Sequence, residues 1–255
     1  MRKLIISTLV AAGLAGTAGI AQASEAGAPL MTEKWSWEGL FGRYDQAQLR
    51  RGFTVFHGVC SNCHSLSLVA YRNLAAVGLT EDEIKAVAAE RELADAPNDE
   101  GTVLMRAGRP SDKYISPFPN DQAAAAANMG ALPPDLSLMA KARLGGPNYI
   151  YSLMLGYMDE VPEGAEIPEG KYYNTYFPGH AISMPPQMMD DLVEYADGTA
   201  ATKEQIAKDI VAFLNWTAEP ELEERKSMGL KVMIFLAVLT ALFYALKRQI
   251  WKDVH

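Results

Sequence analysis

The stretch CSNCH, from Cys60 to His64, holds both cysteines of this 255-residue chain and places a histidine directly behind the second one. A disulfide between cysteines this close would enclose too small a loop to stabilise the fold appreciably. A thioredoxin-like redox pair would need an alternating strand and helix pattern, and a zinc site would need a second cluster of ligands; the sequence carries neither. Covalent attachment of one haem c accounts for all three residues, because Cys60 and Cys63 can each bond a vinyl group of the porphyrin while His64 binds the iron.

The beginning of the chain has the layout of a secretory signal. Arg2 and Lys3 precede an apolar run over residues 4–20, and an Ala-Gln-Ala sequence ends at Ala23. This order of charged, apolar and small residues predicts a signal peptide over residues 1–23. An uncleaved N-terminal anchor is the alternative, and in both cases the domain that follows is exported from the cytoplasm.

A second apolar segment lies near the other end of the chain. Residues 228–246 contain a single charge, Lys231, whose ammonium group can reach the membrane surface. A helix of this length spans roughly 28 Å at about 1.5 Å per residue, close to the ~30 Å core of a bilayer. Basic residues flank the segment on both sides, so the signal peptide decides the orientation. We therefore expect a periplasmic domain over 24–227, a transmembrane helix over 228–246 and a cytoplasmic tail over 247–255, which places the haem domain on the periplasmic side of the cell (inner) membrane.

The chain is acidic, with 31 Asp and Glu residues against 23 Lys and Arg residues. This balance disfavours nucleic-acid binding, because an acidic surface repels the phosphate backbone. The acidic residues cluster around 95–100, 159–169 and 219–224. Such clusters either keep a domain soluble or attract a basic partner protein, and the sequence leaves both interpretations open.

Hydrophobic spacing predicts a mainly α fold with long loops and one C-terminal transmembrane helix, and the haem motif makes the domain before that helix a c-type cytochrome domain. A helix that begins after Asp45 delivers the CSNCH stretch. Further helices follow two predicted capping boxes. These boxes pair Thr80 with Glu83 and Thr202 with Gln205. Stretches rich in proline and glycine in the middle of the chain predict long surface loops.

A haem iron held by His64 still needs a sixth ligand. His57 lies one turn before the motif on the same helix, and His255 lies beyond the membrane segment, so neither is suitable. His180 and the loop methionines, Met184, Met188 and Met189, remain open as candidates. Met184 is favoured because two prolines follow it and stiffen the chain around the ligand. A methionine ligand gives a higher reduction potential than a second histidine.

Four longer stretches carry more information than the haem motif alone. In chain order they are WSWEGLFGRYDQAQLRRGFTVFHGVCSNCHS, NMGALPPDLSLMAKARLGGPNYIYSLMLGY, YYNTYFPGHAISMPP, and DGTAATKEQIAKDIVAFLNWTAEPELEERKSMGLKVMIFL. Together they resemble the cytochrome c1 family, the haem-bearing subunits of the quinol:cytochrome c oxidoreductase or cytochrome bc1 complex. The resemblance implies that Met184 is the sixth ligand. Here its loop reads AISMPP, one residue shorter than family variants with an extra residue before the proline pair.

The same resemblance implies roles for residues that the spacing of the chain does not single out. One carbonyl of the pair Pro133 and Pro134 is expected to accept the ring proton of His64, and Pro134 is therefore included among the haem-site residues. Arg143 and Asn128 match positions that approach the haem propionates in the family. From its position alone, Arg143 would be assigned to a solvated helix surface.

For the whole chain the resemblance implies electron transfer rather than chemistry on a substrate. Electrons would come from the Rieske iron-sulfur subunit and leave to a soluble or anchored c-type cytochrome, in a dimeric complex that includes a cytochrome b subunit. The isolated chain would then be a redox subunit and not an enzyme. The alternative is a free-standing membrane-anchored c-type cytochrome carrier or oxidase subunit. A haem peroxidase is disfavoured, because it would need an exchangeable sixth site.

Overall fold

The computed structural model describes residues 28–253, so the predicted signal peptide at 1–23 and residues 254–255 of the predicted tail lie outside the described range. Within that range the fold is mainly helical, as predicted, with three pairs of very short strands between the helices. The helices are α1 (Gln46–Gly58), α2 (Glu81–Ala89), α3 (Asp121–Ala127), α4 (Met139–Ala142), α5 (Gly146–Leu155), α6 (Lys203–Ala218) and α7 (Leu222–Ile250). The strands are β1 (Leu66–Ala70), β2 (Glu92–Ala94), β3 (Met105–Ala107), β4 (Lys113–Tyr114), β5 (Tyr172–Tyr173) and β6 (Ala181–Ile182).

Helix α1 leads into the CSNCH stretch and forms where the sequence predicts it. The Asp45 carboxylate accepts hydrogen bonds from the backbone N–H groups of Ala47 and Gln48, at 2.9 and 3.3 Å, and so caps the helix. Its inner face is buried, and the residues on that face are Leu49, Gly52, Phe53, Val55 and Phe56. The apolar spacing therefore produces a helix docked along its length, which holds its C-terminal end in place.

Helix α6 crosses α1 so closely that there is no room for a side chain at Gly52. A Cβ atom at that position would lie 2.1 Å from the carbonyl oxygen of Asp209 and 2.7 Å from the Cβ of Phe213. Beside it, the Arg51 guanidinium binds the Asp209 carboxylate at 2.9 Å, and Asp209 is fully buried. Because a buried carboxylate must be paired, Arg51 and Gly52 together determine where the two helices meet.

One of the two predicted capping boxes forms completely and the other only in part. Thr80 donates its N–H to the Glu83 carboxylate at 2.7 Å, and the Thr80 hydroxyl accepts the N–H of Glu83 at 3.3 Å. At the start of α6 the Thr202 hydroxyl accepts the N–H of Gln205 at 3.2 Å. The Gln205 amide, however, donates to Asp209 at 2.8 Å instead of returning to the cap. The reciprocal bond is lost because the buried carboxylate of Asp209 needs the donor.

The stretches predicted as long loops contain the short strands β3 to β6, whereas β1 and β2 lie outside these stretches. β1 pairs with β4, β2 with β3 and β5 with β6, all in antiparallel fashion. With two to five residues each, these strands are too short to show an alternating pattern in the sequence. The β5–β6 hairpin matters most for function, because Met184 follows it directly.

The apolar segment forms one continuous helix, α7, which is longer at both ends than the predicted span of 228–246. Its 29 residues extend about 44 Å at about 1.5 Å per residue, more than the ~30 Å bilayer core. It is long and apolar enough to cross a membrane, and its apolar stretch is exposed along the whole length. Only Leu222, at its start, is buried in the domain. Pro220 lies between α6 and α7 and marks the joint between them.

The substitution Gly52→Ala is expected to lower the free energy of unfolding by about 1–3 kcal/mol, because the added Cβ pushes α1 and α6 apart. Denaturation of the haem-loaded protein in mild detergent, followed by circular dichroism, measures this. Gly58→Ala is the matched control in the same helix, since a Cβ there meets nothing within 4 Å. It is expected to be neutral or stabilising by up to about 1 kcal/mol. Equal midpoints for the two variants would contradict the packing role of Gly52.

Candidate haem site

The CSNCH stretch forms a tight turn directly after α1. Cys60–Asn62 make one turn of 3₁₀ helix, and the N–H of His64 donates to the carbonyl of Cys60 at 2.9 Å. Cys60 and Cys63 are both partly buried. Burial raises the pKa of the Cys60 thiol to about 12. The turn therefore presents two thiols and one imidazole within five residues, which is the donor set that covalent haem attachment requires.

The imidazole of His64 is held by a carbonyl from a distant segment. Its Nδ1 lies 2.7 Å from the carbonyl oxygen of Pro134, 70 residues further along the chain. Since that oxygen can only accept, Nδ1 carries the proton and Nε2 keeps its lone pair for a metal. Burial lowers the pKa of His64, and the Pro134 carbonyl and Asp135 partly oppose this. The neutral imidazole that iron binding needs is thus the favoured form.

Asp135 holds the Pro134 carbonyl in position, and sequence reasoning did not identify it. Its carboxylate accepts the Ser65 hydroxyl at 2.6 Å and the backbone N–H groups of Ser67 and Ser137 at 2.7 and 2.9 Å. Burial alone would raise the pKa of Asp135, but these bonds and the Ser137 hydroxyl hold it at about 2. The Asp-x-Ser spacing of the Ser137 bond is an Asx turn and was the one available signal.

The segment that holds His64 through Pro134 also carries exposed apolar side chains. Three of them lie within five residues of Pro134 in the chain, with accessible fractions of 65% for Met129, 50% for Leu132 and 46% for Leu138. Exposed apolar side chains on this segment suit contact with the apolar porphyrin of a haem. The thiols, the imidazole and these side chains are therefore consistent with one cofactor.

The segment that carries Met184 is tied to the end of α5. Met184 follows the β5–β6 hairpin and is partly buried, and its carbonyl accepts the Tyr157 hydroxyl at 2.9 Å. Two prolines come next in the chain. The backbone at Met184 is thus restrained from both sides, by a hydrogen bond and by fixed φ angles. Tyr157 was not predicted, because its contact is 27 residues away in the chain.

Asn174 closes the hairpin onto α5 and was also not predicted. It is fully buried, and its amide donates to the carbonyl of Leu153 at 2.8 Å. Its Oδ1 accepts the N–H groups of Tyr176 and Phe177 at 3.0 and 3.2 Å. Because these groups would otherwise be unpaired in a buried place, Asn174 sets the shape of the loop before Met184.

The histidines considered as sixth ligands have other partners. His180 is exposed, with its ring stacked on Tyr173 and its Nδ1 3.3 Å from the carbonyl of Asn174 in its own hairpin. His57 places Nδ1 2.7 Å from the Tyr114 hydroxyl and Nε2 3.1 Å from the Glu90 carboxylate. The contacts of His57 occupy both of its ring nitrogens and argue against it, whereas the hydrogen bond of His180 involves Nδ1. The choice of Met184 over His180 therefore stays a prediction that follows from the resemblance.

Arg143 and Asn128 make local contacts in the structure. Arg143 is exposed and donates to the carbonyl of Ala142 at 3.2 Å. Asn128 ends α3, and its amide donates to the carbonyl of Ala124 at 2.7 Å. Their roles at the haem propionates stay predictions that follow from the resemblance.

A helical domain with a histidine-bearing CxxCH turn, attached to a helix that can span a membrane, defines the class of membrane-anchored c-type cytochromes. Comparison with known families makes the assignment specific. A model described as "Cytochrome C1 family" matches residues 35–254, and the chain belongs to this family. It therefore carries one covalently bound haem c and transfers electrons in the cytochrome bc1 complex.

Relatives from bacteria and mitochondria agree with this assignment. The chain is 58% identical to "Cytochrome c1" of Rhodospirillum rubrum, over 100% of this chain and 99% of that protein. It is 48% identical to "Cytochrome c1, heme protein, mitochondrial" of Saccharomyces cerevisiae, over 93% and 77%. It is also 44% identical to "Cytochrome b/c1" of Bradyrhizobium diazoefficiens. That match covers 97% of this chain but only 39% of the longer protein.

The substitution Asp135→Asn is expected to destabilise the protein at neutral pH. It is also expected to make the free energy of unfolding depend less on pH in the acid range. The folded pKa of about 2 lies below the unfolded value of about 3.9. The carboxylate therefore contributes stability above about pH 4, and this contribution is lost as the pH falls towards about 2. Denaturation midpoints measured across this range provide the test.

Asp159→Asn, which removes an exposed carboxylate from the acidic loop, is the control for Asp135→Asn. It is expected to change stability at neutral pH by no more than about 0.5 kcal/mol. Identical pH profiles for wild type and Asp135→Asn would rule out a structural role for the Asp135 hydrogen bonds.

Proposed function

We propose that this chain receives electrons from a Rieske iron-sulfur subunit and passes them through its haem c to a soluble or membrane-anchored c-type cytochrome. It does so as one subunit of a dimeric complex that also contains cytochrome b. The isolated chain is a redox subunit and not an enzyme. The haem domain, residues 24–227, lies on the periplasmic side of the cell membrane, with 228–246 spanning it and 247–255 in the cytoplasm.

The observation that carries this proposal is the hydrogen bond between His64 Nδ1 and the Pro134 carbonyl. It fixes the imidazole in one orientation and leaves Nε2 to bind iron as a permanent ligand. Met184 would supply a second side-chain ligand, so that His64 and Met184 together would hold the iron and leave no place for a substrate. Such a site would suit transfer of electrons without bond formation.

The protein residues supply orientation and tuning. Bound haem c supplies a one-electron iron couple whose potential depends on its axial ligands. Cys60 and Cys63 would hold the porphyrin by two thioether bonds, and Asp135 stabilises the segment that positions His64. Tyr157 restrains the backbone of Met184 through its carbonyl. Arg143 and Asn128 are proposed to bind the propionates, as the family resemblance implies.

The partners are supported by chemistry and by the names of relatives. A relative named "Cytochrome b/c1" extends well beyond the length of this chain, which supports a cytochrome b partner. Another is named "Cytochrome b-c1 complex catalytic subunit, mitochondrial". The predicted signal peptide and the exposed apolar helix α7 support a periplasmic domain on a single membrane anchor.

The three acidic clusters differ in how far their charges are already paired. Asp95 binds Arg106 at 3.2 Å, and Glu219 lies 3.4 Å from Lys141. The cluster in the loop between α5 and β5 is exposed and forms no ion pair in the part of the chain that the structure describes. Its carboxylates belong to Asp159, Glu160, Glu163, Glu166 and Glu169. These unpaired charges precede the Met184 hairpin and are the best candidates for docking a basic cytochrome c.

The substitution Met184→Leu is expected to keep the covalent haem but lower its reduction potential, on the order of 100 mV or more, because the thioether ligand is lost. Potentiometric titration of the solubilised protein measures the shift. His180→Ala is the matched control and is expected to leave the potential unchanged. If only the His180 variant shifts, the sixth ligand is His180 and the assignment of Met184 is wrong.

Removing charges from the acidic loop is expected to slow electron delivery to a basic cytochrome c. The variant Glu163→Gln/Glu169→Gln should reduce the second-order rate by about 3- to 10-fold at low ionic strength and by much less at high salt. Glu92→Gln/Glu204→Gln removes the same charge at other exposed positions and is expected to have little effect. Equal rates for the two variants at low salt would exclude the loop as the docking surface.

Purification of the chain from its native membrane tests the proposed complex. The chain is extracted from membranes with a gentle detergent and purified through a C-terminal tag. Cytochrome b and a Rieske protein are expected to co-purify, and quinol is expected to reduce the haem in the preparation. A chain that purifies alone under these conditions would favour the free-standing carrier.

A further inference from the structure

Two neighbouring apolar side chains project into solvent from a short turn, residues 38–42, which we call the EGLFG turn. Leu40 is 60% exposed and Phe41 is 76% exposed. The turn is rigid, because its base is formed by Trp35 and Trp37, which are buried and stacked with ring centroids 5.0 Å apart. An exposed apolar pair on a rigid support points to a binding surface rather than to a mobile segment.

The EGLFG turn is attached to the first two turns of α7. The ammonium group of Lys226 donates to the carbonyls of Trp37 and Gly42, at 2.6 and 3.1 Å, and these carbonyls flank the turn. Just beyond the turn, the N–H of Tyr44 donates to the Glu223 carboxylate at 3.0 Å. The exposed pair therefore has a fixed position beside the start of the membrane helix.

The length of α7 indicates where this attachment lies relative to the membrane. About 20 helical residues span the ~30 Å hydrocarbon core. Counted back from Leu246, the last residue before Lys247, the core begins close to Ser227. Glu223 and Lys226 then lie at the level of the lipid headgroups, within one helical turn of the hydrocarbon. The EGLFG turn, which is bound to both, lies at the same level.

We propose that Leu40 and Phe41 insert into the boundary between headgroups and acyl chains of the lipid bilayer beside α7. The haem domain then contacts the membrane at two places, the helix and the turn, and its tilt above the bilayer is fixed. Aromatic and aliphatic side chains at this depth replace water by lipid without burying polar groups. Glu38 and Arg43 flank the pair with opposite charges, so apolar contact and not net charge drives the insertion.

Lipid fits this surface better than the apolar face of another protein subunit. A stable protein interface buries on the order of 1,200–2,000 Å², far more than two side chains supply. An interfacial contact needs only a few apolar groups, because the helix has already brought the domain to the membrane. The inference rests on the proposed membrane anchoring by α7, and the two can be tested separately.

Site-directed spin labelling of the full-length, haem-loaded chain in phosphatidylcholine and phosphatidylglycerol vesicles tests the insertion. The native cysteines are bonded to the haem, so a single added cysteine takes the label. Labels at Leu40→Cys and Phe41→Cys are compared with Leu104→Cys, since Leu104 is 59% exposed and matches Leu40. Collisions with a water-soluble nickel chelate are expected to be less frequent at the EGLFG turn than at Leu104, by about threefold or more. Collisions with oxygen, which concentrates in the bilayer, are expected to be more frequent at the turn.

A label at Ala237→Cys, in the middle of α7, separates the two proposals. If it is shielded from nickel while the Leu40 and Phe41 labels are as accessible as the Leu104 label, the insertion is overturned and the anchoring stands. If the Ala237 label is itself accessible to nickel, the anchoring fails and the insertion with it. If the EGLFG labels are shielded only in the assembled complex and not in vesicles, a partner subunit covers the turn and the lipid proposal is wrong.

Discussion

The close crossing of α1 and α6 is the contact on which the other features of the domain depend. Because Gly52 has no side chain, the backbone of α1 approaches the carbonyl of Asp209, and the Arg51–Asp209 ion pair fixes how the helices are rotated. A buried ion pair adds little net stability, but loss of either partner leaves an unpaired charge. Helix α1 ends at the haem motif and α6 leads to the membrane helix, so this one crossing connects both functional ends of the chain.

Away from this crossing, hydrogen bonds from a few polar side chains organise long segments that have little regular structure. Asp135 joins the segment after the haem motif to the one that positions His64, and Asn174 joins the hairpin before Met184 to the end of α5. Each satisfies several backbone N–H groups that would otherwise be unpaired. His64 and Met184, the proposed iron ligands, are thus held by different polar anchors on a shared helical framework.

The haem domain and the membrane helix form one continuous structure. Only Pro220 and its neighbours separate α6 from α7, and the start of α7 is bound to the segment before α1 through Lys226 and Glu223. Because these contacts attach the domain firmly to α7, the haem site stays at a constant distance from the membrane surface. This suits the proposed exchange of electrons with a membrane-bound partner and a carrier, because electron-transfer rates depend on a reproducible distance between the redox centres. The unpaired acidic loop beside the Met184 hairpin then lies on a surface with a fixed orientation.

The features that could be predicted from the sequence alone are those that depend on residues close together in the chain. The haem motif, the Asp45 cap, the Thr80–Glu83 box and the apolar span all depend on residues within a few positions of one another, and the structure agrees with the last three. Gln205 was misassigned because its partner, Asp209, is held by Arg51 from another helix. The bonds of Pro134 to His64 and of Tyr157 to Met184 join residues 70 and 27 positions apart. The family resemblance implied the first of these bonds, but the spacing of the chain indicated neither, because hydrogen-bond partners that are distant in the chain leave no periodic pattern in it. Only the tertiary fold brings such residues together.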